Sequence, residues 1–86
     1  MASSAAPSAM QVEILTPDAT LFQGEAQFVG LPGADGSLGI LSHHAPLITT
    51  LQAGEVVVRT AQGEERFAVR GGTVEVLHNR VTVLAS

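Results

Sequence analysis

Few side chains in this sequence could do chemistry, and their spacing limits what that chemistry could be. The imidazoles are His43, His44 and His78. His43 and His44 are adjacent, so on an extended chain they diverge to opposite faces, whereas two metal ligands on one strand need i, i+2 spacing. Neither His-x-His nor His-Glu-x-x-His occurs. A metal-dependent β-barrel enzyme would have to gather His43, His44 and His78 from distant positions. Ser42 precedes His43, but the Gly-x-Ser-x-Gly elbow of a nucleophilic serine is absent. Glu64 and Glu65 are neighbours, point apart on a strand and make a poor acid–base pair. Asp18 follows Pro17 and Asp35 lies in a Gly-rich turn, positions where a carboxylate caps backbone amides. Gly71-Gly72 opens no helix and so cradles no phosphate. The residues point to a non-catalytic chain with no metal and no cofactor.

Missing residue types exclude further classes. Without cysteine there is no disulfide framework and no thiolate nucleophile or zinc ligand. Without lysine there is no Walker-type phosphate loop and no Schiff base. A biotin or lipoyl carrier is excluded as well, because its cofactor hangs on a lysine. Four arginines against eight carboxylates give a formal charge of -4, the wrong sign for gripping a nucleic-acid backbone. At 86 residues the chain has room for one small domain, whose thin stability margin a bound partner would widen. Its 45% apolar and 14% charged composition is that of a folded globular chain. No apolar run approaches the roughly 18–20 residues of a membrane span.

The elements that would position these groups are short alternating runs broken by turn residues. Residues 1–9 are rich in Ala and Ser but lack the basic start and apolar middle of a secretory signal. They read as a flexible leader before Met10, itself a possible alternative start, with residues 10–86 as one domain. Strands are predicted over Gln11–Thr16, over Thr20–Leu31 (two strands, or one bent at Gly24), Ser37–Leu41, Leu47–Leu51, Glu55–Thr60, Glu65–Arg70, Thr73–Leu77 and Arg80–Ala85. Turns are predicted at Pro17-Asp18, over Pro32–Gly36, over Ser42–Pro46, at Ala61–Glu64, at Gly71-Gly72 and at His78-Asn79. About eight to ten strands with such spacing imply an all-β sandwich or barrel.

Alternation also sets apolar residues among polar ones. Val57 shares a face with Glu55 and Arg59, Leu77 with Thr73 and Glu75, and Leu84 with Arg80 and Thr82. Val29 falls on the face of Glu25 and Gln27. Four outward apolar side chains on one small sandwich could merge into an interface.

Six segments in order carry a family signature: Val12–Pro17 (VEILTP), Leu21–Glu25 (LFQGE), Leu31–Leu47 (LPGADGSLGILSHHAPL), Gln52–Gly54 (QAG), Arg70–Val76 (RGGTVEV) and Asn79–Ala85 (NRVTVLA). Together they resemble the epsilon-subunit family of F-type ATP synthases across essentially residues 10–86. The resemblance implies a flattened, mostly antiparallel β-sandwich of two roughly five-stranded sheets. It also implies a non-catalytic place in the rotating central stalk, joining the gamma subunit to the membrane c ring and coupling ion translocation to ATP synthesis. By motif, the c-ring contact falls on Asp35, Gly36 and Ser37 and on His43, His44, Ala45 and Pro46. The outward residues Val29, Val57, Leu77 and Leu84 are then candidates for the gamma interface, an assignment that rests on alternation.

Two departures qualify the resemblance. The family often carries an acidic residue where this chain has Ser37, and Pro-Gly where it has Ser42-His43. Many members also continue into a two-helix domain that inhibits ATP hydrolysis and in some binds ATP. The sequence given stops at Ser86, so neither inhibition nor nucleotide binding carries over. The expected location is peripheral, on the cytoplasmic face of the bacterial plasma membrane. The alternative is a generic β-sandwich interaction module of another assembly.

Overall fold

A computed structural model describes residues 9–86, so most of the 1–9 leader lies outside the described residues. Nine strands follow one another: β1 (Met10–Leu15), β2 (Thr20–Ala26), β3 (Phe28–Gly33), β4 (Gly36–Leu41), β5 (Leu47–Leu51), β6 (Gly54–Thr60), β7 (Gly63–Val69), β8 (Gly72–Leu77) and β9 (Arg80–Ala85). The hydrogen-bonded order is β2-β1-β9-β8-β5-β3-β6-β7, with β4 flanking β3 on its other side. Only β1–β9 is parallel; every other pair is antiparallel.

The link between β5 and β3 is a single residue pair, Gly33–Leu51, backed by a hydrogen bond from the Gln52 amide to Pro32 O (2.7 Å). At this joint the sheet divides into two halves, β2-β1-β9-β8-β5 and β4-β3-β6-β7. The expected pair of roughly five-stranded sheets is thus five strands and four, continuous through one contact. On the opposite side, where the terminal strands β2 and β7 face each other, Phe22 and Phe67 meet edge to face with ring centroids 6.1 Å apart. Such a pair adds about 0.5–1.5 kcal/mol beyond area burial, and here it shuts a seam that has no ladder.

The core lies between the halves. Val12 and Ile14 of β1, Val74 and Val76 of β8 and Val81 and Val83 of β9 pack against Val29 and Leu31 of β3, Ile40 of β4 and Val56 and Val58 of β6. Each is 3% exposed or less. Every buried side chain of this kind stabilises by about 1.5–3 kcal/mol, and β-branched residues suit the pleat while losing little rotamer freedom.

Val29 departs from expectation: it is 0% exposed, in the core, not on an outer face. Parity counted from Glu25 and Gln27 assumed one continuous extended run. The chain instead bends at Gln27, between β2 and β3, and the bend resets the alternation. The break therefore falls at Gln27 rather than at Gly24, which pairs with Val12 inside the β1–β2 ladder. The Gly-rich turn is also tighter than expected, because Pro32 and Gly33 stay in the ladder and only Ala34-Asp35 turn.

Gly72 opens β8 at φ +133°, and a Cβ there would run into the carbonyl oxygen of Leu84 on β9. Gly63 has nearly the same φ, +135°, with open space around it. Gly72→Ala should therefore lower stability by more than about 3 kcal/mol, and Gly63→Ala by about 1–2 kcal/mol. Urea unfolding of the two variants checks the contrast; equal losses would mean that backbone angle alone sets the cost.

Candidate interaction surfaces

The turns gather at two ends of the sandwich. One end holds the Pro17-Asp18 turn, the Ala34-Asp35 turn, Gln52 and Gly71. The Pro17-Asp18 turn is capped by Thr16, not by the expected carboxylate of Asp18: Thr16 Oγ1 accepts the amides of Asp18 and Ala19 at 3.2 and 3.0 Å. Nor does Asp35 brace its own turn. The Gln52 side-chain amide does so from β5–β6, donating to Gly33 O at 3.2 Å and to Ala34 O. Asp35, Gly36 and Ser37 are thereby held out as an exposed hairpin tip.

The other end holds the β4–β5 loop and the β8–β9 hairpin. His78 and Asn79 both have positive φ (51° and 60°), the left-handed pair that a two-residue hairpin requires and that Asn and His tolerate better than most. Asn79 is the hub here. Its Oδ1 accepts the His43 amide at 2.7 Å, its Nδ2 donates to Ala9 O at 3.0 Å, and its carbonyl accepts the Gln11 amide at 3.1 Å. His43, at φ 62°, is thus fixed against the neighbouring hairpin. His44 Nδ1 lies 2.7 Å from Ala45 O, an arrangement that needs the ring proton on Nδ1. No three His, Asp or Glu side chains among the described residues converge on a metal-sized site, so His43, His44 and His78 are not assembled as ligands.

The two segments assigned to one ring contact are therefore not together. Leu38–Leu41 of β4 and then Ser42 separate the Asp35–Ser37 tip from the His43–Pro46 loop, roughly 16–20 Å of chain. What they share is β4 itself, an edge strand with one ladder partner, β3.

The outward apolar residues also divide. Leu77 (41% exposed) and Leu84 (52%) project from the outer face of the five-stranded half, where Leu84 stands between Leu15 and Thr73 on neighbouring strands. Ile48 (73%), opposite Glu75 and diagonal to Leu77, belongs to the same face but was not singled out from sequence. Its own strand reads as alternating apolar and polar only once the pairing with β8 is known. Val57 is half-buried on the opposite outer face, so it shares no surface with Leu77 and Leu84.

That opposite face carries paired charge. The Phe28 ring lies across the facing glycines Gly30 and Gly39, and a Cβ on either would sit 3.1 Å from it. The Arg59 guanidinium covers the ring at 4.9 Å. Arg66 pairs with Glu64 (2.7 Å) and Glu55 (3.2 Å), and Arg59 with Glu64 (3.4 Å). The hydrogen bond from Arg66, then its charge, holds the Glu64 carboxyl below its ordinary pKa. These groups are open to solvent, Glu64 least so, and the network positions side chains more than it stabilises.

The chain matches the family model described as ATP synthase, Delta/Epsilon chain, beta-sandwich domain, over residues 9–86. It is 44% identical over 77 residues to the chloroplastic ATP synthase epsilon chain of Cyanidioschyzon merolae, covering 90% of this chain and 59% of that one. It is 49% identical over 78 residues to the ATP synthase epsilon chain of Herminiimonas arsenicoxydans, covering 88% and 56%. The chain thus spans somewhat over half the length of these curated relatives. Among solved structures, a chain of the Euglena gracilis mitochondrial ATP synthase (OSCP/F1/c-ring) superposes with TM-score 0.84 at 17% identity, over 98% of this chain and 54% of that one. A chain of the Tetrahymena thermophila mitochondrial ATP synthase central stalk and c-ring gives 0.76 at 19% identity, over 88% and 62%. At these identities the likeness concerns the fold.

Two outcomes follow from the geometry. Asn79→Ala should cost about 0.5–1.5 kcal/mol through two lost hydrogen bonds whose partners water can reach, and Asn79→Gly less because it keeps the left-handed turn. Asn79→Asp should retain slow exchange of the His43 amide while both others lose it, as amide hydrogen exchange will read. For Glu64, a depressed folded pKa means that its contribution is present above the unfolded value and fades as pH falls through the folded one. Arg66→Gln should therefore move the Glu64 midpoint upward in an NMR titration and shift that fading to higher pH.

Proposed function

The chain belongs to the ATP synthase delta/epsilon β-sandwich family, and from that premise we propose that it is a non-catalytic central-stalk subunit joining the gamma subunit to the membrane c ring. The observation that carries the reading is the family match over residues 9–86, which takes in every described strand. The task needs no reactive group. It needs a body that does not deform and two separate contact surfaces, so that torque from ion flow reaches the catalytic head without slippage.

The ring-facing surface in this reading runs along edge strand β4, with Asp35, Gly36 and Ser37 at one end and His43, His44, Ala45 and Pro46 at the other. Both ends are held by side chains from elsewhere, Gln52 and Asn79, which stiffens them before any partner arrives. The gamma-facing surface is the outer face that displays Leu77 and Leu84. The protein then sits at the membrane as part of the F1 sector, on the cytoplasmic face, through its partners. No nucleotide or metal is required on this chain.

The test is to place a bulky residue at each end of β4 in the reconstituted enzyme. Asp35→Trp and His44→Trp should each reduce ATP-driven ion pumping several-fold, while the isolated domain keeps its unfolding midpoint. Pumping unchanged by both substitutions would remove the β4 surface from the ring contact.

A further inference from the structure

The two outer faces differ in how their charges are used. On the four-stranded half, Glu55, Glu64, Arg59 and Arg66 neutralise one another in three ion pairs. On the five-stranded half, Glu13, Glu25 and Glu75 stand with Arg80, and none of the four forms an ion pair among the described residues, although Glu25 accepts from Gln11 Nε2 at 3.3 Å. Three carboxylates against one guanidinium leave this face net acidic.

Register arranges the face in rows. Glu13 of β1, Thr82 of β9, Glu75 of β8 and Ile48 of β5 lie side by side across four strands. The two carboxylates are two strand spacings apart, roughly 9–10 Å, with a short threonine between them. One row along, Leu15 and Leu84 are neighbours; on the other side lie Gln11, Arg80 and Leu77. Leucine-sized side chains thus flank unpaired carboxylates on both sides.

Resting on the stalk reading above, we propose that this face docks a basic amphipathic segment of the gamma-type partner, one whose lysines or arginines alternate with apolar side chains. A cationic side chain seated over Thr82 meets both Glu13 and Glu75, while apolar neighbours cover Leu84 on one side and Leu77 with Ile48 on the other. A second copy of this chain is a poor occupant. It would set three carboxylates against three, and it has no lysine to offer. Charge of this kind governs encounter and register, and the leucines supply the buried area.

The experiment titrates the protein into a gamma-containing F1 core stripped of this subunit, at low and moderate salt. Wild type should bind, and more weakly as salt rises. Glu75→Lys should weaken binding about tenfold, and Glu13→Lys with Glu75→Lys further, with the salt dependence largely lost. Glu75→Gln should fall between wild type and Glu75→Lys, and Leu84→Ser should weaken binding about tenfold at both salts. Glu65→Lys, on β7, should leave binding unchanged. Thermal unfolding of each variant confirms that the fold is kept; Glu65, Glu75 and Leu84 are exposed and Glu13 is half-buried on the outer face.

If wild type does not bind the core at all, the stalk reading itself fails. If wild type binds but Glu75→Lys and Leu84→Ser bind equally well, or the double reversal binds more tightly, the stalk reading stands and this face is not its docking surface. Sedimentation showing a micromolar dimer that Leu84→Ser abolishes would give the face to a second copy and overturn the proposal.

Discussion

The packing of two valine-rich inner faces against each other is the interaction on which everything else here depends. Nine of the sixteen buried apolar side chains among the described residues are valine, and no disulfide or helix braces the layers. Valine is short and stiff, so it fills a thin layer at low entropic cost, but it has no reach with which to correct a slipped register. A shift of one residue in any strand would turn its valines to water and its charges inward. The demand for a dry layer inside therefore dictates what is displayed outside.

A two-layer body of this kind offers a partner two outer faces, two ends and its strand edges, and their chemistry is unevenly spread. One face is electrostatically self-satisfied and roofed by an aromatic ring over paired glycines. The other leaves Glu13 and Glu75 without ion-pair partners among leucines, while Glu25 accepts from the Gln11 side chain. At the ends, exposed loops are held from a distance, the Asp35 tip by Gln52 and the His43 loop by Asn79. A loop ordered in advance loses less entropy when a partner contacts it.

Much of this was legible in the sequence, for physical reasons that also explain the misses. Strands β6, β8 and β9 lie between plain turn signals, so their boundaries to within one residue and the faces of Val57, Leu77 and Leu84 followed from local pattern; β7 begins two residues earlier than its pattern suggested, because Gly63 and Glu64 stay in the ladder with Thr60 and Arg59. Val29 did not, because a bend at Gln27 carries no glycine or proline to mark it, while the nearby Gly24, a conspicuous breaker, stays in its ladder. Which half a strand joins depends on pairings such as β1–β9 and β5–β8, and those set Val57 and Leu84 on opposite faces without leaving any mark nearby in sequence. Asn79 was read as a turn residue, which it is. Its bond to the His43 amide spans 36 positions and has no sequence signature.

The parallel pairing of β1 with β9 has a bearing on how the domain comes into being. Strand β1 bonds to β2 on one side and to β9 on the other, so the first described strand waits for the last before its ladder is complete. On the ribosome, residues 10–26 can form a hairpin early, but the second edge of β1 has no ladder partner until Arg80–Ala85 has left the exit tunnel. The domain closes in one late step rather than growing strand by strand. Until then an unpaired apolar edge stands open, and a nascent chain in that state is a natural client for a chaperone.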